Sequence, residues 1–214
     1  MRNQIIAIIK EALESRQEFF TREQEIQIYL ANYLNSQKLF NHVYLEYHIP
    51  SNALSNYPWK DSNNIYIDIV IVSGNNYYPV EIKYKTISQT VPLKLFGTPS
   101  LVTLGHHGAQ NIGCYDFWKD IKRLELFEEK FENVEQGIML FVTNDSSYLQ
   151  PPRNNEVGYA QFSIEQSREI EIGTILDWNG ALSISVNRPP ITLKRDYSLK
   201  WNELNLTQHK YLLL

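Results

Sequence analysis

The chain has 214 residues and a formal net charge of −4, with 43% hydrophobic and 21% charged residues. This length suits one sizeable domain, expected to span residues 1–214, and the composition is typical of a soluble globular protein. The acidic balance argues against a protein that simply coats nucleic acid, although a local basic groove is compatible with it. An apolar run of about 18 residues is missing, and the single Cys114 fits a reducing compartment. We therefore expect a cytoplasmic protein without membrane association.

Two helical patterns open the chain. Isoleucine and leucine residues interleaved with charged residues predict an amphipathic helix over residues 3–19, which does not resemble a signal peptide. A second helix is predicted over residues 22–37, with Thr21 as its N-cap and Gln24 completing a capping box.

The central part of the chain is predicted to alternate between strands and helix. Residues 86–110 show no clear period and are interpreted as a long excursion, which in compact domains is often functional. The other predicted elements are strands at residues 43–49, 65–73 and 76–85, a helix at residues 111–131 and a doubly buried strand at residues 138–145.

The region from about residue 157 to residue 214 has a β-rich pattern. Residues 171–178 and 181–187 flank Asn179-Gly180, which predicts a type I′ hairpin, and residues 197–201 alternate between apolar and polar side chains. The whole pattern predicts an α/β (α+β) fold with a mixed central sheet, flanking helices and extra C-terminal strands.

The strands at residues 65–73 and 76–85 are joined by a tight turn. A two-residue Gly74-Asn75 loop fits a type II′ turn with glycine first and pairs Ser73 with Asn76. This register determines which side chains share a face farther along the hairpin.

Three charged side chains fall on one face of the hairpin in this register. Asp68 lies opposite Glu81, with Cβ atoms roughly 4.5–5.5 Å apart, and Lys83 follows two residues later on the same face. The other face is expected to carry Ile67, Ile69, Ile71, Val80 and Ile82.

Two carboxylates this close repel each other and are costly to bury unpaired. Mg²⁺, or Mn²⁺ in its place, resolves the conflict because hard cations bind oxygen ligands. Lys83 beside such an ion would help to deprotonate a bound water or stabilise charge growing on a phosphate. The pattern therefore indicates phosphodiester hydrolysis; the alternative is a solvent-facing row of ion pairs with little energetic effect.

The order of a glutamate-bearing helix, a strand, the Asp68 strand, the Glu81-Ile82-Lys83 strand, a helix and an apolar strand resembles the PD-(D/E)XK superfamily of restriction-endonuclease-like nucleases. The resemblance covers residues 21–143 approximately, and Ile67 departs from it because many members have proline there. It implies a divalent-metal-dependent nuclease in which Asp68, Glu81 and the Ile82 backbone carbonyl hold the metal and Lys83 activates the attacking water. DNA is the expected substrate, with RNA left open, and the implied settings are defence or DNA processing.

The resemblance also implies an acidic residue on the first core helix. On a helical projection Glu23 falls about 20° from Leu30, whereas Glu25 falls about 140° away. Glu23 is therefore the inward-facing candidate and Glu25 is expected to be solvated. The alternative for Glu23 is a first-turn position that favours the helix dipole.

Several other residues are further candidates for the site. Some members carry Gln and Tyr on the helix after the E-x-K strand, which makes Gln110 and Tyr115 further candidates. His106 would contact a phosphate or base, or belong to a plain polar loop; zinc is not expected because the adjacent His107 would point away from it. Asp120 and Arg123, three residues apart, are interpreted as a helix-surface pair.

The expected partner is nucleic acid, and a homodimer or a partner protein remains open. Basic residues among aromatics near the end of the chain would follow a nucleic-acid backbone or guard a strand edge; they are Arg188, Lys194, Arg195 and Lys200. A second hypothesis is a non-catalytic nucleic-acid-binding or assembly module with the same fold. A third is an unrelated α/β protein whose hairpin is only a charged sheet face.

Overall fold

The computed structural model describes residues 1–54, 57–59, 64–180, 183–204 and 209–214. The α-helices are α1 (Arg2–Ser15), α2 (Glu23–Ser36) and α3 (Gln110–Lys130). The strands are β1 (His42–Pro50), β2 (Asn64–Ser73), β3 (Asn76–Lys85), β4 (Thr90–Leu95), β5 (Thr98–Thr103), β6 (Ile138–Thr143), β7 (Glu169–Ile170), β8 (Ile175–Leu176), β9 (Ile191–Thr192), β10 (Tyr197–Ser198), β11 (Trp201–Glu203) and β12 (Lys210–Leu213).

A six-stranded mixed sheet forms the centre of the molecule, in the order β1-β2-β3-β6-β12-β11. β3 and β6 are parallel, and the other neighbours are antiparallel. A parallel pair needs a long crossover, which here contains the β4–β5 hairpin and α3. All six residues of β6 are buried, which confirms the doubly buried strand. The predicted mixed α/β fold is therefore confirmed, and the C-terminal strands β11 and β12 extend the same sheet.

The two faces of the sheet are covered by different layers. α1 and α2 pack on one face, where Ile9, Leu30 and Ile82 belong to one apolar cluster. α3 and the C-terminal region cover the other face with an aromatic cluster that includes Trp118 and Phe141. Because strand side chains alternate between faces, β3 contributes Ile82 to the first layer and directs Glu81 and Lys83 toward α3.

The connection between α1 and α2 differs from the prediction. α1 ends at Ser15 instead of continuing to residue 19. Thr21 does not cap α2; its backbone N–H and its hydroxyl instead donate to the Glu25 carboxylate at 2.9 and 3.0 Å. Glu25 also forms an ion pair with Arg16 at 2.6 Å and is half-buried, so the expectation that it is solvated was wrong.

The predicted Asn179-Gly180 hairpin is also wrong. Ile175–Leu176 pairs with β9, and Ser183–Ser185 forms a short 3₁₀ turn; residues 181 and 182 lie outside the described residues. The Asn179 side chain donates to the backbone oxygens of Asn155 and Val157, so a tertiary contact decides this turn. The alternation of residues 197–201 is confirmed, with Tyr197, Leu199 and Trp201 buried.

The predicted excursion at residues 86–110 contains a regular hairpin. β4 and β5 pair from Thr90–Thr103 to Leu95–Thr98, which leaves Phe96 and Gly97 as a two-residue turn. Within the described part of the chain, no helix combines the length and apolarity needed to cross a bilayer.

Gly113 lies where α3 meets the buried ring of Tyr148. A Cβ at this position would lie 3.1 and 3.2 Å from two ring carbons and closer still to the hydroxyl oxygen. We therefore expect Gly113→Ala to lower the free energy of unfolding by about 1–3 kcal/mol through overpacking, measured by urea denaturation. Gly105→Ala, which meets no atom within 4 Å, is the control. A stabilised Gly113→Ala protein, as expected for an exposed helical glycine, would contradict this packing.

Candidate active site

The β2–β3 hairpin has the predicted register. Ser73 pairs with Asn76, and Gly74 has a φ of 62°, as a type II′ turn requires. The backbone pairing continues to Ile69–Val80 and ends there, so the predicted direct pairing of Asp68 with Glu81 is not formed. Ile67 packs with a third apolar cluster beside β1 and not with Ile69, so its predicted face was wrong. Glu46, opposite Asp68 on β1, has a φ of 48°, which marks the irregularity in the sheet at this point.

Beyond this point, side chains from three other segments accept hydrogen bonds from the backbone of β3 and the residue after it. The amide of Ile82 donates to Asp68 Oδ2 at 2.6 Å. The amide of Tyr84 donates to Glu23 Oε2 at 2.8 Å, and that of Thr86 donates to His107 Nδ1 at 3.0 Å. Alternate amides of a strand point to the same edge, so these acceptors form a row where β2 has departed.

Gln27 supports this row from α2. Its buried side chain donates to the backbone oxygen of Asp68 at 2.7 Å and to Glu46 Oε1 at 2.8 Å. Gln27 lies one helical turn after Glu23, so both residues share the face of α2 that meets the sheet. Gln27 was not among the residues predicted from the sequence, although its position four residues after Glu23 indicated the same helix face.

On the face toward α3, four charged side chains form an ion-pair chain consisting of Glu81, Arg123, Asp120 and Lys83. Arg123 contacts Glu81 Oε1 at 2.7 Å and Asp120 Oδ1 at 2.9 Å, and Lys83 Nζ lies 2.8 Å from Asp120 Oδ2. Glu81 and Asp120 are 1% and 2% exposed. The predicted helix-surface pair of Asp120 and Arg123 was therefore wrong, because both face the E-x-K strand. The burial of Glu81 also argues against a solvent-facing charged sheet.

The burial of these groups changes their ionisation. Burial raises the pKa of Asp68 to about 6, despite the hydrogen bond from Ile82 and the nearby Lys83. Burial likewise raises the pKa of Glu81, with Arg123 opposing the shift. Burial disfavours the Lys83 ammonium, but Asp120, Glu23 and Glu81 outweigh it and raise the pKa of Lys83, which stays protonated at neutral pH.

The pKa of Asp120 is lowered because its contacts with Lys83 and Arg123 outweigh its burial. Asp120 is therefore the ionised partner of the two cations. Asp68 and Glu81, in contrast, are short of compensating positive charge.

The remaining candidates occupy different surroundings. Glu23 reaches the E-x-K strand, as expected for an inward-facing residue. Tyr115 is buried in the aromatic cluster, where it receives a hydrogen bond from Trp59 and donates to Pro189 O. Gln110 lines a small cavity beside Trp178, and His106 is exposed on the loop before α3.

The basic residues near the end of the chain are mostly engaged within the protein. Lys194 pairs with Glu129, and Arg195 pairs with Glu128, at the end of α3. Arg188 donates to the backbone oxygen of Ile184 at 2.9 Å. Lys200 is exposed. These contacts weaken the expectation that this segment follows a nucleic-acid backbone.

A cavity of about 510 Å³ lies next to the ion-pair chain. Val70 and Pro79, which pair with each other, line it two residues from Asp68 and Glu81, and Phe127 lines it one turn after Arg123. The other lining residues include the aromatic side chains of Tyr47, Tyr77 and Phe131. This places a largely apolar cavity alongside the charged groups.

The donor chemistry of the site is compatible with a hard divalent cation. Asp68, Glu23 and Glu81 each use one carboxylate oxygen in a protein contact, and their other oxygens accept no hydrogen bond from the described residues. In the part of the chain that the structure describes, no preformed group of three or more His, Cys, Asp or Glu side chains is arranged to hold a metal.

Comparison of the chain with family models, curated proteins and solved structures finds no significant match.

The raised pKa of Asp68 predicts a pH-dependent effect of Asp68→Asn. The folded protein binds this proton more tightly than the unfolded chain, so the cost of ionising Asp68 develops as the pH rises from about 4 to about 6 and persists above it. Relative to wild type, Asp68→Asn should therefore gain about 2 kcal/mol of unfolding free energy between about pH 4 and about pH 7.5. Urea denaturation at both pH values measures this, and a pH-independent difference would contradict it.

Removing Arg123 should leave the buried Glu81 carboxylate without its cation, whereas Asp120 keeps Lys83. We expect Arg123→Met to lower the free energy of unfolding by about 3–5 kcal/mol, measured by urea denaturation. The double variant Arg123→Met/Glu81→Gln should recover most of this loss, because the uncompensated charge on Glu81 is gone. Arg153→Met, at an exposed position, is the control. Failure of the double variant to recover would show that Glu81 and Arg123 are not energetically coupled.

Proposed function

We propose that the protein is a divalent-metal-dependent nuclease that hydrolyses phosphodiester bonds, with DNA as the expected substrate and RNA left open. The observation that carries this proposal is that Asp68 and Glu23, from two other elements, accept hydrogen bonds from the Ile82 and Tyr84 amides of the strand that carries Glu81 and Lys83. Each carboxylate keeps one oxygen unused by the described residues. The elements α2, β1, β2, β3, α3 and β6 follow one another in the order on which the resemblance to PD-(D/E)XK nucleases rests, with the β4–β5 hairpin inserted between β3 and α3.

The three carboxylates would hold Mg²⁺ or Mn²⁺, with the Ile82 backbone carbonyl as a further ligand implied by the resemblance. A bound divalent cation supplies Lewis acidity to a phosphoryl oxygen and makes a water molecule more acidic. The raised pKa values of Asp68 and Glu81 support such a role, because their ionised forms need positive charge that Lys83 and Arg123 do not fully provide. Gln27 keeps Asp68 in place through its backbone oxygen.

Lys83 would act as a cation and not as a base. Its ammonium is held in the protonated form by Asp120, Glu23 and Glu81, so it is ready to donate a hydrogen bond to a phosphoryl oxygen. This favours stabilisation of charge growing on a phosphate over removal of a proton from water. Asp120 and Arg123 would be positioning residues, since they hold Lys83 and Glu81 through ion pairs.

One observation favours a second candidate, a non-catalytic nucleic-acid-binding or assembly module. Arg123 already forms ion pairs with Glu81 and Asp120, and Asp120 also pairs with Lys83. The four charges therefore satisfy one another without a metal or substrate. In that case the charged residues would specify the packing of α3 on the sheet.

The test is cleavage of mixed DNA and RNA by purified protein with Mg²⁺, Mn²⁺ or EDTA, combined with calorimetric titration of each metal. We expect metal-dependent cleavage that falls by at least about 100-fold in Glu81→Gln and Lys83→Met, both checked for folding by circular dichroism. Glu156→Gln and Lys38→Met, at exposed positions, are the matched controls and should retain activity. Cleavage that persists in both site variants, or a folded wild-type protein that neither binds metal nor cuts, would reject the nuclease proposal.

A further inference from the structure

The hairpin formed by β4 and β5 projects from the end of the strand that carries Lys83. We refer to residues Thr90–Thr103 as the arm. Its base is closed by hydrogen bonds from His107 N to Thr86 O at 2.7 Å and from Leu104 N to Gln89 O at 2.8 Å. Six paired residues in each strand give the arm a reach of about 20 Å. A cleft of about 730 Å³ separates one side of the arm, at Pro92–Lys94, from residues 15–19.

The tip of the arm combines full exposure with a strained backbone. The Phe96 side chain is fully exposed, and its φ is 52°. Gly97 follows with a φ of 83°, so both turn residues are left-handed, as in a type I′ turn. Asn or Gly suits the first position of such a turn, whereas an aromatic residue there is strained. Neither turn geometry nor packing within the protein therefore favours a phenyl ring at Phe96.

The charge of the surrounding segment indicates what the ring contacts. From Ile82 to Tyr115 the sequence contains no Asp or Glu, although the whole chain has 24 of them. The same segment contains Lys83, which pairs with Asp120, together with Lys85, Lys94 and His106. A segment without carboxylates in an acidic chain is complementary to a polyanion.

The arm is poorly suited to pairing with another strand. Pro92 lies within β4 and Pro99 within β5. Proline lacks the N–H that an added strand would need, and it is one of the devices that keep sheet edges unpaired. This argues against a second copy of the chain joining the arm edge to edge.

We propose that the arm is a nucleic-acid contact in which Phe96 stacks on a base of the substrate while the basic segment at its foot lies near the phosphates. This inference rests on the proposed function for the class of ligand. Aromatic rings stack on bases with little sequence preference, so the arm would supply affinity and position and not sequence recognition. The inference concerns binding alone and involves no residue of the ion-pair chain in the stacking.

The experiment is a binding titration of full-length protein with fluorescein-labelled mixed-sequence DNA, single-stranded and duplex, in EDTA so that no metal-dependent cleavage occurs. Phe96→Ala should weaken binding of at least one of the two forms by about tenfold, whereas Phe96→Trp should retain it. Ile172→Ala, which truncates another exposed apolar residue, is the matched control and should bind as wild type. Because Asn is favoured in the left-handed region, Phe96→Asn should lose affinity without a lower Tm, which separates lost contact from lost fold.

Equal affinity of Phe96→Ala and wild type would overturn the inference, as would a wild-type protein that binds neither DNA form. Analytical ultracentrifugation supplies another outcome that would overturn it. If wild type is a dimer and Phe96→Ala is a monomer, the ring contacts a second copy of the chain and not a base. Weaker binding by Phe96→Ala with no cleavage by any protein would support the arm and reject catalysis. Metal-dependent cleavage with unchanged binding and cutting by Phe96→Ala would support catalysis and reject the arm.

Discussion

Buried backbone N–H groups need hydrogen-bond acceptors, and the site is organised around three such groups on β3 and the residue after it. Where β2 departs from β3, the amides of Ile82, Tyr84 and Thr86 would lose their partners, and an unpaired buried amide is costly. Asp68, Glu23 and His107 supply the missing acceptors. These contacts tie β2, α2 and the loop before α3 to one edge of β3. The same departure that breaks the sheet thus brings two carboxylates from distant parts of the sequence beside the E-x-K strand.

The other constraint is the balance of charge between β3 and α3. Asp120 is shared between Lys83 and Arg123, and Arg123 is shared between Asp120 and Glu81. Such a chain is cooperative, because each group is held by more than one partner. It fixes the rotation of α3 about its axis, since another rotation would bury Asp120 against apolar side chains. The ion pairs that orient α3 on the sheet are therefore the same ones that hold Glu81 and Lys83 in the candidate site.

Much of the arrangement could be predicted from local pattern. The Gly74-Asn75 turn set the register, and helical periodicity identified Glu23 as the inward-facing acid. Asp120 and Arg123 could not be placed in this way, because charged residues at i, i+3 are typical of a helix surface. Their inward position follows from Glu81 and Lys83 on another element. The β4–β5 hairpin was missed because Phe96-Gly97 is an unusual turn dipeptide. The hairpin predicted at Asn179-Gly180 was wrong, and the Asn179 side chain instead donates to the backbone of Asn155 and Val157.

The place of β12 in the sheet has a consequence for biogenesis. β6 emerges from the ribosome well before one of its neighbours, β12, which follows only after most of the β-rich extension. Until then an apolar strand of six residues is left with one open edge, which is a template for intermolecular pairing. The antiparallel contact from Thr143–Lys210 to Leu140–Leu213 also closes a long loop, so we expect it to form late in folding. Nascent chains that stall within the extension would present this apolar strand, with its open edge, to the cell's chaperones.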